Sequence, residues 1–473
     1  MKMKPIIQLF LVLSLLIIVV PSALAADPAG DITLAEDPNA PVNFTWTLVA
    51  AFLVFLMQGG FAMLEGGLVR AKNVSNIMMK NLSDFAVGSL GFWAIGFPLM
   101  FGASVAGIFG ASNWLLTGEA YDVNTYLLWI FQMVFAGTAA TIASGAMAER
   151  TKFRTYYIIS FLITAFIYPI YGHWVWGGGW LSNLPFGLGH LDFAGSGVVH
   201  MVGGGAGLAG ALLLGARIGK YDEDGKPRAI PGHSISMAVL GVFILWFGWF
   251  GFNAGSTLAA TELRISVIAV TTLLAGSAGG FAATLYTWKK FGRPDVTMTG
   301  NGVIAGLVAI TAPCAWVEAW AAVVIGLVAG FIMVESVLFF EKKGIDDPIG
   351  AVSCHFIAGI WGLISVGIFA DGTYGIYSTE APFVTGLLYG GGIGQLVAQV
   401  IGVVANFVWV FGTTYVIFWV LKKTIGLRVS KKEELEGLDN AEHGAISYPD
   451  FIITPEDSEK VEENGEPIKQ ETH

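Results

Sequence analysis

Apolar stretches of 18 or more residues recur along nearly the whole chain, and nothing else in the sequence constrains its fold as strongly. Each is long enough to cross a hydrocarbon layer of about 30 Å at about 1.5 Å per helical residue. In hydrocarbon every backbone N–H and C=O must be satisfied within the protein, so runs of this length predict helices. The spans fall at roughly 44–66, 84–107, 125–147, 155–175, 195–215, 234–255, 265–288, 300–317, 319–340, 350–369 and 394–421. The expectation is an all-α polytopic membrane protein of eleven transmembrane helices. Composition agrees: 55% of the 473 residues are hydrophobic and 13% charged, too few charges for a soluble surface of this size.

Residues 1–25 read as a signal peptide, with Lys2 and Lys4, an apolar core from Ile6 to Val20, and Ala23-Leu24-Ala25 as a cleavage site. The membrane domain then runs over 26–421 and a tail over 422–473. Eleven crossings put the mature N-terminus outside and the C-terminus in the cytoplasm, and basic residues should favour alternate loops. Arg70, Lys72 and Lys80 open that series, followed by Arg150, Lys152 and Arg154, then Arg217, Lys220, Lys226 and Arg228. Lys289, Lys290, Arg293, Lys342, Lys343, Lys422 and Lys423 continue it, whereas the opposite loops hold Arg264 alone. The tail carries thirteen acids from Glu433 to Glu471 against Lys460 and Lys469, enough to account for the formal charge of −10. That charge therefore says nothing about the membrane domain. Beyond about Ser458 the composition is that of a solvating, disordered tail.

Two apolar spans share a pattern. His200, Gly204 and Gly207 in the fifth repeat as His355, Gly359 and Gly362 in the tenth, both H-x3-G-x2-G. Five spans separate them, which predicts a 5+5 inverted repeat whose halves meet at a functional pathway. Both histidines fall in the middle third of the bilayer, where ionisable groups are costly and mark function by default. Singly, each reads equally well as a neutral imidazole bonded between helices. As a pair at repeat-related positions they suit a narrow path for a small polar permeant. No third metal ligand or nucleophile accompanies them, so neither a metal, a cofactor nor an enzyme is expected.

Phe131 and Phe135 share one helical face; Trp249, Phe252 and Ser256 share another. Trp176 lies just beyond the fourth span, where an interfacial aromatic is ordinary. Asp192 precedes the fifth span and can cap its N-terminus or add negative potential to an outer mouth. Cys314 and Cys354 both lie within spans and suggest no disulfide.

The strings AFLVFLMQGGFAMLEGGLVR (51–70), QMVFAGTAATIASGAMAER (132–150), DFAGSGVVHMVGG (192–204), GWFGFNAGS (248–256) and NGVIAGLVAIT (301–311) resemble the Amt/Mep ammonium transporters, which share a fold with Rh proteins. The resemblance implies ammonium binding at Phe131, Trp176 and Ser256, supported by Asp192. It further implies a gate of Phe135 and Phe252 and a pore lined by His200 and His355. Trp176 favours the Amt branch. Two positions depart from the usual pattern: Phe356, where many relatives have glycine, and Gly350, where an acid is common. The family also implies a homotrimer in the cell membrane whose segment 426–448 contacts neighbouring subunits. A PII-type regulatory protein at the cytoplasmic face is the expected partner, and no nucleic acid. The alternative reading is an ammonium sensor signalling through the tail.

Overall fold

With no water to satisfy the backbone, the apolar runs close their hydrogen bonds within themselves and become helices. The computed structural model describes residues 26–449, so the signal peptide and the end of the acidic tail lie outside the described residues. Among the described residues, ten helices are long and apolar enough to cross a membrane: α1 Ala40–Leu68, α2 Ala71–Phe101, α3 Val123–Ala146, α4 Phe153–Val175, α5 Ser196–Leu214, α6 Ile235–Thr257, α7 Ile265–Phe291, α9 Ala319–Lys342, α10 Val352–Phe369 and α11 Gly394–Thr424. Between α7 and α9 lies a shorter apolar helix, α8, Val296–Thr311. Two short helices in the tail, α12 Lys431–Glu436 and α13 Leu438–His443, follow. The strand pair Ser104–Val105 and Phe109–Gly110 is a small loop feature.

Burial sorts the helices into a centre and a rim. Of the most apolar stretch of α5, 94% is buried, against 78% for α3, 72% for α10 and 22% for α11. The rim helices turn Phe52, Phe55, Phe243, Phe247, Phe281 and Val408 outward, the surface a hydrocarbon solvent requires. Between helices, small residues allow close approach. A side chain at Gly241 on α6 would overlap the backbone of Leu64 on α1, and one at Gly279 on α7 would overlap the Gly302 carbonyl of α8.

Five π-helical turns interrupt the ladders of the described residues. Two, Phe92–Gly96 and Ile163–Ile167, directly precede Pro98 and Pro169, whose rings disturb the preceding turn and remove an N–H. A third, Phe407–Phe411, lies within α11. The remaining two, Ser196–Met201 and Val352–Ile357, open α5 and α10 without a proline and contain His200 and His355.

The expected spans differ from the helices in instructive places. The second helix begins at Ala71, well before residue 84, because its polar first turns are paired and not solvated. Asp439 from the tail accepts from the backbone N–H groups of Ser75 (3.0 Å) and Asn76 (2.8 Å), capping the helix. Lys80, expected in a loop, stands inside α2 and is fully buried. The eighth helix stops at Thr311 because the following turn is used elsewhere: the Thr311 and Ala312 carbonyls accept from the N–H groups of Ala194 and Phe193.

The basic loops meet at one end of the bundle. Arg217, after α5, donates to Glu149 at 2.9 Å and to both Asp346 oxygens at 2.8 and 3.0 Å. Arg70, after α1, binds the same Glu149, and Arg150 Nη2 donates to the Asp346 carbonyl at 2.7 Å. Burial alone would raise the Glu149 and Asp346 carboxyls, but the guanidinium partners outweigh it and hold both at about 2. The tail closes over this cluster: Arg428 pairs with Glu434, whose carboxylate also accepts from the Ile218 N–H at 2.8 Å. Arg264, the lone basic residue assigned to the other set of loops, packs away from this cluster over the rings of Phe193 and Tyr374.

Candidate functional site

A column of stacked rings runs through the bundle centre, assembled from α3, α6, α5 and α10. Phe131 and Phe135, one turn apart on α3, have centroids 4.8 Å apart. Phe135 lies 4.1 Å from Phe252 of α6 at 25°, a face-to-face stack with no room between the rings. Phe252 stacks on His200 at 5.3 Å, and His200 on His355 at 5.2 Å and 22°. Phe61 of α1 stands beyond, 6.2 Å from His355. Trp176 packs edge-on to Phe135 at 6.3 Å. Ser256 closes α6, its hydroxyl donating to the Phe252 carbonyl at 2.7 Å. Seven of the eight residues singled out from the sequence thus belong to one connected region, and Asp192 joins it through Trp176.

The histidine pair is fixed by its backbone. Asp192 accepts from four consecutive N–H groups, Gly195 and Ser196 on one oxygen and Gly197 and Val198 on the other, at 2.8–2.9 Å. Its carboxylate is consumed in holding the first turn of α5, and its carbonyl accepts from Trp176 Nε1 at 2.7 Å. Of the two sequence readings, capping describes this contact set. Asp347 does the same for α10, accepting from Gly350, Ala351 and Val352 at 3.1, 3.1 and 2.7 Å. Gly195 (φ 114°) and Gly350 (φ 79°) take the left-handed turn that each cap needs, a conformation glycine adopts without strain. The repeat is therefore longer than the histidine-glycine pattern. Asp-x2-Gly-x4-His occurs at 192–200 and at 347–355, and Gly350 is the counterpart of Gly195. Phe356, the other departure, lies against the backbone of Gly204, where a side chain would collide with it.

The Nδ1 atoms of His200 and His355 are 3.2 Å apart. A hydrogen bond between two such nitrogens needs one protonated and one bare, so a neutral pair holds opposite tautomers. One Nε2 is then a donor and the other an acceptor. His200 Nε2 is buried with no partner among the described residues.

Two residues had no assigned role. Trp249, read only as sharing a helical face, stacks on His200 at 5.1 Å and is pinned by its indole N–H donating to Thr311 at 2.8 Å. Glu65 lies beyond His355; both border a void of about 20 Å³ with Phe61 and Asn301. An intramembrane carboxylate in a quoted motif was the available signal. At the opposite end, a vestibule of about 240 Å³ opens against Ser256, with Phe193, Glu262 and Tyr377 in its walls.

Residues 45–448 match the model of the Ammonium Transporter Family. Ammonium transporter Amt2 of Archaeoglobus fulgidus is 58% identical over 93% of this chain and 95% of its own length. Ammonium transporter Amt1 of Haloferax mediterranei is 41% identical over 89% and 82% respectively. Among solved structures, a sensor Amt protein superposes with a TM-score of 0.80 at 39% identity, covering 86% of this chain and 100% of that one. Candida albicans Mep2 gives 0.78 at 30% identity, covering 92% and 96%.

Proposed function

The chain belongs to the ammonium transporter family, and on that premise we propose that it recruits ammonium at Phe131, Trp176 and Ser256, removes a proton, and conducts ammonia past Phe135 and Phe252 to His200 and His355. The observation that carries this reading is the ring column ending in a histidine pair bonded Nδ1 to Nδ1 at 3.2 Å.

The outer aromatic rings offer their negative faces to a cation, and Ser256 supplies an oxygen. Inward of Phe131 the lining is phenyl, indole and imidazole. A bare ion entering such a path loses its hydration without replacement, a cost of many kcal/mol. Potassium matches ammonium in charge and size but has no proton to give up. Ammonium sheds one, becomes neutral, and then meets in the histidine pair one hydrogen-bond donor and one acceptor. Selection thus rests on acid–base chemistry. Phe135 and Phe252 leave no open channel, so their rings rotate apart for each passage.

In this reading the basic face lies in the cytoplasm, consistent with basic residues on inner loops, and the mature N-terminus lies outside. The protein works as a homotrimer with one route per subunit, and a PII-type protein is the partner at the basic face. Reconstituted full-length protein should show saturable ammonium-dependent flux that His355→Ala abolishes or reshapes. Absence of flux, together with indifference to that substitution in an uptake assay, refutes the proposal.

The second reading, an ammonium sensor, is favoured by the likeness to a sensor Amt protein and by the tail's grip on the first turn of α2. Loss of signalling with uptake intact after removal of residues 426–473 supports it.

A further inference from the structure

We propose that Glu65 and His355 form an inner binding subsite for ammonium, between the histidine pair and the basic face. The proposal rests on the transport reading above and adds a residue and a site to it.

Glu65 lies one turn before the end of α1 and is 1% exposed. Its two oxygens differ. Oε2 accepts from Ser144 Oγ at 2.5 Å and Asn81 Nδ2 at 2.9 Å, which fixes the carboxylate. Oε1 accepts no hydrogen bond among the described residues. Glu65 and His355 border the same void of about 20 Å³, room for one water-sized molecule. Ammonium is of that size. Phe61 borders the void as well, an apolar wall facing the two polar groups.

The carboxylate has no cation against it. Lys80, the nearby buried lysine on α2, forms no ion pair among the described residues, and its Nζ has no hydrogen-bond partner. A buried carboxylate with an open oxygen at a void needs either a proton or a cation. Ammonia leaving His355 meets both needs in turn. The nitrogen lone pair takes the proton of the Glu65 carboxylic acid; the O–H bond breaks, an N–H bond forms, and the resulting carboxylate holds the new ammonium by a charge-assisted hydrogen bond. A hydronium ion at the basic face gives its proton to the carboxylate after the ammonium departs, leaving water and restoring the acid.

A purely structural Glu65 would need only an oxygen for Ser144 and Asn81, which glutamine also supplies. Glu65→Gln therefore isolates the charge. The test uses full-length protein in proteoliposomes of fixed orientation, with half-saturating ammonium measured separately from each face. The expected result is a rise of about tenfold or more at the basic face and a change within about twofold at the other. Glu65→Asp withdraws the carboxylate from the void by one methylene and should give a smaller shift on the same side, so it carries the test if the glutamine variant does not fold. Equal shifts on both faces, or none, overturn the inference. Wild-type protein without ammonium flux overturns the transport reading itself; wild-type flux with an unshifted Glu65→Gln overturns only this subsite.

Discussion

Replacing Asp192 separates a structural carboxylate from an electrostatic one. Its oxygens accept four backbone N–H groups at 2.8–2.9 Å, all buried. Asp192→Ala leaves four donors without a partner in a region closed to water, at about 1–3 kcal/mol each, so the cost is at least about 4 kcal/mol. Asp192→Asn retains one accepting oxygen but turns an amide N–H toward the other two donors, so it should cost about half as much. Proteins of this kind have about 5–15 kcal/mol in hand, so Asp192→Ala should unwind the first turn of α5 and displace His200. The assay is reversible denaturation of purified protein in detergent, paired with ammonium flux. Stability and flux should fall together, in the order aspartate, asparagine, alanine. If Asp192→Asn keeps its stability but raises half-saturating ammonium at the outer face alone, the carboxylate acts as a charge at the mouth and the capping argument is wrong.

Other expectations follow from single contacts. Thr311→Val orphans the Trp249 indole N–H beside His200 and should cost about 1–3 kcal/mol with reduced flux, read by thermal unfolding and transport. Arg217→Ala strands the buried Asp346 and leaves Glu149 to Arg70 alone, and should cost about 3–5 kcal/mol in the same unfolding assay. These carboxyls titrate at about 2 in the folded protein, below their unfolded values near 4, so their stabilisation is complete above about pH 4.5 and is lost as pH falls toward 2. An unfolding midpoint followed against pH should drop through that window and flatten in Arg217→Met. Gly279→Val drives a side chain into the Gly302 carbonyl and should prevent close packing of α7 on α8, seen as aggregation on size exclusion.

The helices and the central residues were legible because hydropathy and spacing speak directly about solvent and face. Spacing put Phe131 with Phe135 on one face and paired His200 with His355 through the repeat; these residues and Phe252 lie together because α3, α5, α6 and α10 bury those faces. What stayed hidden depends on partners distant in sequence. The early start of α2 needs Asp439 from the tail, more than 360 residues on. The true end of α8 is set by the chain entering α5. Asp347 was visible only as part of a turn until its capping bonds showed that it precedes His355 by the same eight residues that separate Asp192 from His200. Glu65 was quoted within a motif, but a lone carboxylate near a span end reads as interfacial until His355 is found across the same void.

The central claim is that selection comes from the proton ammonium can surrender. The measurement that tests it most directly compares ammonium with potassium, at equal gradients, through full-length protein reconstituted in proteoliposomes. Saturable ammonium flux with no potassium flux above protein-free vesicles is the predicted result. Potassium passing at a comparable rate, or ammonium failing to pass at all, would contradict it.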